Sequence, residues 1–280
     1  MDIGVHVSLW TPEWTSPFLD AIDLAADLGC TCVEIPLMDP FDFPVEEVRN
    51  RLAKNKLKVY CGTGLGTETD IGNVSDAVRE RGMRHLVECL RICTDLGSSS
   101  LGGVLHSPWG MRGRVDSDYS ARAAASLAAL ADRAEGLGVS IALECINRYE
   151  NSFVNTVSQG LSLLGAIGKG NVGLHLDTYH MNIEERNMAS AIAEAGSRIL
   201  RMHLSENHRG FPGSGTLPWK QIIAAAKNAG YRGPWIVESY VCPDFAASAD
   251  VCVWRPIEPD ISKGLRDSLR FLKDLVGESL

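Results

Sequence analysis

The sequence predicts one closed (β/α)₈ barrel, a TIM barrel of the α/β class, spanning residues 1–280 as a single domain. Three observations predict it. Eight short apolar or β-branched runs alternate with longer helical patterns from end to end. Several of those runs are preceded by a glycine placed to end a helix. No low-complexity linker, internal repeat or break in composition divides the chain. Strand–helix alternation of this kind requires parallel strands joined by right-handed crossovers. Eight such units in 280 residues fit one barrel better than two doubly wound domains; an open parallel sheet is the alternative.

The strand candidates, in order, are Ile3–Leu9, Thr31–Leu37, Leu57–Cys61, Ser99–His106, Val139–Glu144, Val172–Asp177, Ile199–Leu204 and Trp235–Glu238. Gly29, Gly97, Gly138 and Gly230 stand before the second, fourth, fifth and eighth, as helix-ending residues do. Between the strands, apolar residues recur at spacings of three and four, the period of a helix with one buried face. Leu127, Leu130, Ala134 and Leu137 make such a stripe, closed by Gly138, and Val157, Leu161, Leu164 and Ile167 make a second. Ile222, Ile223 and Ala226 form a shorter one before Gly230. Leu265, Leu269, Leu272 and Val276 follow the eighth strand.

Composition narrows the function. Apolar residues are 45% and charged residues 22% of the chain, an ordinary globular balance that excludes wholesale disorder. The net charge of −8 repels phosphate backbones and disfavours nucleic acid as a general partner. No run approaches the ~20 apolar residues needed to span a bilayer, and Met1-Asp2-Ile3-Gly4-Val5-His6 does not read as a signal peptide. The eight cysteines are scattered and form no Cys-x-x-Cys, so they are expected to be reduced thiols of a cytoplasmic protein.

In a parallel barrel the chemistry sits at the carboxyl ends of the strands. Four ionisable residues end consecutive strands there: Glu144, Asp177, His203 and Glu238, separated by 33, 26 and 35 residues, each about one βα unit. Taken singly, each has a plain explanation as a helix cap, half a salt bridge or a satisfied core histidine. Brought to one mouth, three carboxylates repel one another, and a divalent cation is the simplest relief. Three oxygen donors and one imidazole suit Mn²⁺, Mg²⁺ or Co²⁺ better than structural zinc. Cys145, beside Glu144, is expected to point to the other side of its strand. Glu150, His180 and Arg209 lie on the following loops, where substrate hydroxyls would be held.

The stretches Ala142-Leu143-Glu144-Cys145-Ile146-Asn147-Arg148-Tyr149-Glu150, Leu176-Asp177-Thr178-Tyr179-His180-Met181-Asn182-Ile183-Glu184-Glu185 and Gly213-Ser214-Gly215-Thr216-Leu217-Pro218-Trp219 resemble the ketose 3-epimerases, the D-tagatose/D-psicose (allulose) group within the xylose-isomerase-like sugar isomerases and epimerases. The resemblance covers nearly the whole chain and is most specific from Glu144 to Glu238. It implies one Mn²⁺ or Co²⁺ on Glu144, Asp177, His203 and Glu238, with Glu144 and Glu238 as the acid/base pair. It also implies that Glu150, His180 and Arg209 hold substrate oxygens, in a cytoplasmic homodimer or homotetramer. The chain departs from the group in its sugar-binding walls: His6 stands where an aromatic residue is frequent, and Tyr240 where a phenylalanine is. Trp14, Trp109 and Tyr240 are the expected apolar wall against the sugar.

Two glycine-rich stretches mislead. Gly62-Thr63-Gly64-Leu65-Gly66 lacks the spacing of a dinucleotide loop and reads as a flexible barrel loop, while Gly213-Ser214-Gly215 lacks the ending of a phosphate loop. Three rival functions follow from the same residues. An apurinic-site endonuclease shares His106, Glu144, Asp177, His180, His203 and Glu238, but needs further metal ligands that the Cys61–Gly66 loop does not supply. An aldose–ketose isomerase acting at C1–C2, of hydroxypyruvate or erythrulose type, would use the same metal with its substrate one carbon along. A non-catalytic sugar-binding relative would be expected to have lost one of the two glutamates, and this chain keeps both.

Overall fold

The structure, a computed structural model, describes residues 2–14 and 18–277. Eight strands, β1 (Ile3–His6), β2 (Cys32–Pro36), β3 (Lys58–Gly62), β4 (Ser100–Gly103), β5 (Ser140–Glu144), β6 (Val172–Asp177), β7 (Ile199–Leu204) and β8 (Trp235–Val237), pair in sequence order. All pairs are parallel, and β8 returns to β1, with Val5 opposite Val237, so the barrel is closed and the open-sheet alternative falls. The helices that wrap it are α1 (Leu19–Asp27), α2 (Val45–Asn55), α3 (Asp76–Leu96), α4 (Tyr119–Gly136), α5 (Val157–Ile167), α6 (Thr178–Glu184), α7 (Met188–Ala195), α8 (Trp219–Asn228), α9 (Ala246–Asp250) and α10 (Ile261–Gly277).

Local sequence accounts for the helix ends. In α5, the Thr156 hydroxyl accepts the Gln159 N–H at 3.3 Å while Gln159 accepts the Thr156 N–H at 3.0 Å, a reciprocal cap. That helix stops at Gly168, whose φ of 67° is the left-handed conformation a glycine adopts most easily. Its buried face, Val157, Leu163, Leu164 and Ile167, joins the apolar shell between strands and helices that forms the main core. The Cys145 sulfur belongs to that shell: a Cβ on Gly160 of α5 would lie 2.9 Å from it, so it points away from the barrel axis as expected.

Every predicted strand is present, but the first and fourth are shorter than the sequence suggests. After His6 the chain turns into a short 3₁₀ segment, Val7–Trp10, because the His6 ring nitrogen Nδ1 accepts the Ser8 N–H at 3.3 Å. After Gly103, with φ 114°, pairing stops at a contact with the Thr63 backbone so close that no side chain fits. The Gly62–Gly66 loop is tied down rather than loose: Leu65 pairs with Pro108 beyond the strands, and Trp109 N–H donates to Leu65 O at 2.7 Å.

The barrel interior is layered. Cys32, Tyr60 and Ile236 form a small apolar cluster of their own. Beside them lies a buried ion pair, Arg201 Nη1 to Glu34 Oε1 at 2.7 Å, which crosses the interior from β7 to β2. Glycines make the room. A Cβ on Gly62 would lie 2.6 Å from Glu34 Oε1, and one on Gly102 would collide with the Arg201 guanidinium. The eight cysteines are free thiols, and among the described residues no helix is long and apolar enough to cross a membrane.

Candidate active site and metal centre

Strand register sets the site. Glu144 and Asp177 are the last residues of β5 and β6, His203 is the last but one of β7, and Glu238 follows β8 directly. Asp177 lies opposite His203 in the β6–β7 pairing. Each side chain points inward at the same end of the barrel. One ligand atom from each of Glu144, Asp177, His203 and Glu238 lies within 4.8 Å of all the others, and all four residues are buried.

Their partners differ. Asp177 Oδ1 accepts the Tyr179 N–H at 2.6 Å and caps α6, while Oδ2 accepts from Arg209 Nη1 at 2.9 Å. Asp177 is thus a helix cap and a member of the cluster at once. The same Arg209 nitrogen reaches Glu238 Oε2 at 3.0 Å. His203 Nε2 lies 2.9 Å from Glu34 Oε2, whereas its Nδ1 faces Glu238 Oε1 at 3.4 Å and Glu144 Oε1 at 3.8 Å and has no hydrogen-bond partner. The Glu144 carboxylate has nitrogens of His175, His180 and His203 around it at 3.8–3.9 Å, all beyond hydrogen-bond range. Its main-chain carbonyl, by contrast, is held by His106 Nε2 at 2.9 Å.

The electrostatics divide the two glutamates. Burial, then the nearby Glu238 and Asp177 charges, hold the Glu144 carboxyl well above its usual range, against the pull of His203. Burial also pushes Glu238 up, but His203 and Arg209 outweigh it and hold that carboxyl well below its ordinary value. Burial lowers His203, yet the Glu34 and Glu238 carboxylates raise it well above a free imidazole. His180 is pushed down to about 4 by burial, so its ring is neutral.

These residues fit a divalent cation. The connected set holds four carboxyl groups (Glu34, Glu144, Asp177, Glu238) against two guanidiniums (Arg201, Arg209), so that without an ion the acidic excess is met by protons on Glu144 and His203. A buried carboxylate without a partner takes up either a proton or a cation. A free imidazole lone pair and carboxylate oxygens are the donors that Mn²⁺, Co²⁺ and Mg²⁺ accept, and Nδ1 of His203 is the orphaned atom such an ion would satisfy.

A cavity of about 320 Å³ opens above the cluster, lined by Glu144, His203 and Glu238 and by all seven residues expected to meet substrate: His6, Trp14, Trp109, Glu150, His180, Arg209 and Tyr240. Asp177 is covered by Arg209 and does not reach the cavity surface. Arg209 adopts φ 64°, a left-handed conformation uncommon for a side-chain-bearing residue. Its N–H donates to Glu206 O at 3.0 Å and its guanidinium lies over the Tyr179 ring, 4.1 Å from the centroid. Glu150 is fixed at both oxygens, by Asn147 Nδ2 at 2.8 Å and Trp109 Nε1 at 3.2 Å. Trp14, with Nε1 on Asp250 Oδ2 at 2.8 Å, packs edge-on to both His6 and Tyr240 and closes one wall.

Sequence reasoning missed four residues here. Asn147 bridges Glu150 and His180, donating to His180 Nδ1 at 2.8 Å. His175 is wholly buried with both ring nitrogens unpartnered and its ring 4.0 Å from that of His203, centroid to centroid. Glu34 and Arg201 form the ion pair below. For three of them a signal existed: a charged or imidazole side chain inside an apolar strand, for two of them at even spacing from a site residue on the same strand. Arg201 precedes His203 by two and His175 precedes Asp177 by two, which places them on the same face. Glu34 stands at the middle of Cys32-Val33-Glu34-Ile35-Pro36.

A closed eight-stranded barrel with a buried acidic cluster and one inward imidazole at the carboxyl ends of β5 to β8 defines a class of barrel enzymes that bind their substrate over that mouth. The chain belongs to the xylose isomerase-like TIM barrel family, whose model matches residues 22–275. It is 34% identical over 277 residues to an L-ribulose 3-epimerase of Methylomonas sp. strain DH-1, covering 98% of this chain and 97% of that one. It is also 34% identical over 282 residues to a ketose 3-epimerase of Arthrobacter globiformis, covering 98% and 96%. The crystal structure of a D-allulose 3-epimerase from Methylomonas sp. in complex with D-allulose matches with a TM-score of 0.93 at 34% identity, over 98% of this chain and 96% of that one. By this kinship the chain is an enzyme of the sugar epimerase and isomerase class.

Proposed function

We propose that the protein is a metal-dependent ketose 3-epimerase that inverts C3 of a free ketose such as D-tagatose, D-psicose (allulose) or D-fructose. The observation that carries the reading is the convergence of Glu144, Asp177, His203 and Glu238 donor atoms within 4.8 Å of one another beneath a substrate-sized cavity. The three relatives named above, each a 3-epimerase, support the position of the chemistry on the sugar. The lining also favours a free sugar over a phosphorylated one: Arg209 is its single Lys or Arg, against Glu34, Glu144, Glu150, Glu238 and Asp250.

Epimerisation removes the C3 proton beside the C2 carbonyl and returns a proton to the opposite face. Glu144 and Glu238 serve as the two carboxylates, one taking the proton and the other giving one back, with their roles exchanged for the C3 epimer. Mn²⁺ or Co²⁺, with Mg²⁺ a third option, on Glu144, Asp177, His203 and Glu238 would polarise the substrate oxygens and stabilise the charge of the enediolate. Glu150, His180 and Arg209 hold substrate hydroxyls, with His180 neutral and its Nδ1 already accepting from Asn147. His6, Trp14, Trp109 and Tyr240 form the wall. The resemblance further implies a homodimer or homotetramer.

The test is incubation of the Mn²⁺- or Co²⁺-loaded protein with a panel of free ketoses in D₂O. Deuterium entering C3 with formation of the C3 epimer is the expected result. Label at C1 with formation of an aldose would overturn it in favour of the C1–C2 isomerase.

A further inference from the structure

We propose that Glu34 is a positioning residue for the metal centre, fixing the ring of His203 so that Nδ1 is presented to the ion; this rests on the metal-dependent reading above. The two carboxylate oxygens of Glu34 have separate partners. Oε2 meets His203 Nε2 at 2.9 Å, and Oε1 meets Arg201 Nη1 at 2.7 Å. Arg201 is itself immobilised, with Nη1 on Cys61 O at 2.9 Å and Nη2 on Ser100 O and Oγ at 3.1 and 2.7 Å. The carboxylate therefore has one position, and from it only a protonated Nε2 satisfies the contact.

An imidazole that donates from Nε2 and carries no second proton has its lone pair on Nδ1. That is the atom directed at Glu144 and Glu238, and the atom left without a hydrogen-bond partner. Carboxylates behind a metal-binding histidine commonly fix its tautomer and raise its basicity, and their loss weakens metal binding about 10–100-fold. Here the carboxylate comes from β2, which does not pair with β7; the first half of the barrel reaches across the interior to aim a ligand of the second. The absence of a side chain at Gly62 is what lets Glu34 lie in that path.

The rival role is neutralisation of Arg201 alone, and a double variant separates the two. Glu34→Gln/Arg201→Met removes one charge of each sign and leaves the net charge of the interior unchanged. Mn²⁺ is titrated into metal-free wild type, Glu34→Gln and the double variant, with free Mn²⁺ followed by electron paramagnetic resonance and folding checked by circular dichroism. A Kd raised about 10–100-fold in the folded double variant is expected. Recovery to within about threefold of wild type would overturn the proposal, because neutralising Arg201 would then explain Glu34. A second measurement needs no altered residue at Glu34: proton–nitrogen NMR of the wild type loaded with diamagnetic Mg²⁺, the His203 signals being assigned by their loss in His203→Gln. A solvent-protected Nε2–H is expected, and a proton on Nδ1 would overturn the assignment. Wild type that binds no Mn²⁺ at all would instead sink the metal-dependent reading on which the proposal rests.

Discussion

Two buried glutamates, one ending a strand and one just past a strand end, stand at the same end of the barrel, and their surroundings are opposites. Glu206, two residues beyond β7, is fully buried and accepts four hydrogen bonds: Trp219 Nε1 at 2.6 Å and Gly213 N at 3.0 Å on Oε1, Asn207 N at 3.2 Å and Leu217 N at 3.3 Å on Oε2. It is the post around which the Gly213–Trp219 loop is wound. Glu144 has no donor within hydrogen-bond range of its carboxylate among the described residues. A buried carboxylate satisfied by main-chain N–H groups belongs to the fold, whereas one left unsatisfied is held ready for something outside the chain.

Replacing each by glutamine should break the molecule in different ways. Glu144→Gln or Glu238→Gln removes one of the two groups that move the C3 proton, and turnover should fall about 10³–10⁴-fold while the barrel stays folded. C3 exchange in D₂O measures the rate and circular dichroism the fold. Full activity in either variant would refute the two-carboxylate scheme. Glu206→Gln keeps the shape but loses the charge that four donors converge on, at an expected cost of about 2–4 kcal/mol in stability. Urea unfolding measures that loss, and turnover per folded molecule should change by less than about tenfold.

The unsatisfied cluster should also betray itself through protons. Without metal, Glu144 and His203 are both raised, so each tends to hold a proton that a bound ion must displace. Affinity for Mn²⁺ should therefore weaken as pH falls, by about tenfold per unit for each proton displaced. Metal titrations between about pH 6 and 8, with calorimetry in two buffers of different ionisation enthalpy, read the slope and the proton count directly. A flat affinity would mean that the cluster is already deprotonated. Chelation should silence the enzyme, and Mn²⁺ or Co²⁺ should restore it.

The contrast between Glu144 and Glu206 also marks how far the sequence could be read. Strand ends were legible because apolar runs have sharp edges, and four ionisable side chains one βα unit apart could meet only at a barrel mouth. What a side chain meets across the barrel is not periodic in the chain. Glu34 and Arg201 are 167 residues apart, and nothing local to either announces the other. The shortening of β1 and β4 escaped for a related reason: the residues past His6 and Gly103 are apolar enough for a strand, but a ring-to-backbone bond at one and a close backbone approach at the other end the pairing. Glu206 has no local signal either, because three of its four donors come from the Gly213–Trp219 loop, whose path that same carboxylate sets.

Glu184, the last residue of α6, lies between the two extremes and gives the smallest effect. Its carboxylate is buried, but its partner Arg148 is largely exposed, donating from Nε and Nη2 at 2.9 and 2.8 Å, with a third bond at 2.7 Å from the Arg148 main chain. Arg148→Gln leaves that main-chain bond in place and lets water replace the guanidinium, so the loss should be about 0.5–1 kcal/mol. Burial raises the Glu184 carboxyl, but the Arg148 bonds outweigh it and hold it below its ordinary 4.5. A depressed carboxyl stabilises the fold above its unfolded-state value and loses that contribution as pH falls through the folded one. The difference between wild type and Arg148→Gln in urea unfolding should therefore be full at neutral pH and shrink in acid. A difference that persists unchanged once Glu184 is protonated would show that the Arg148 side chain acts through packing rather than through its bonds to the Glu184 carboxylate.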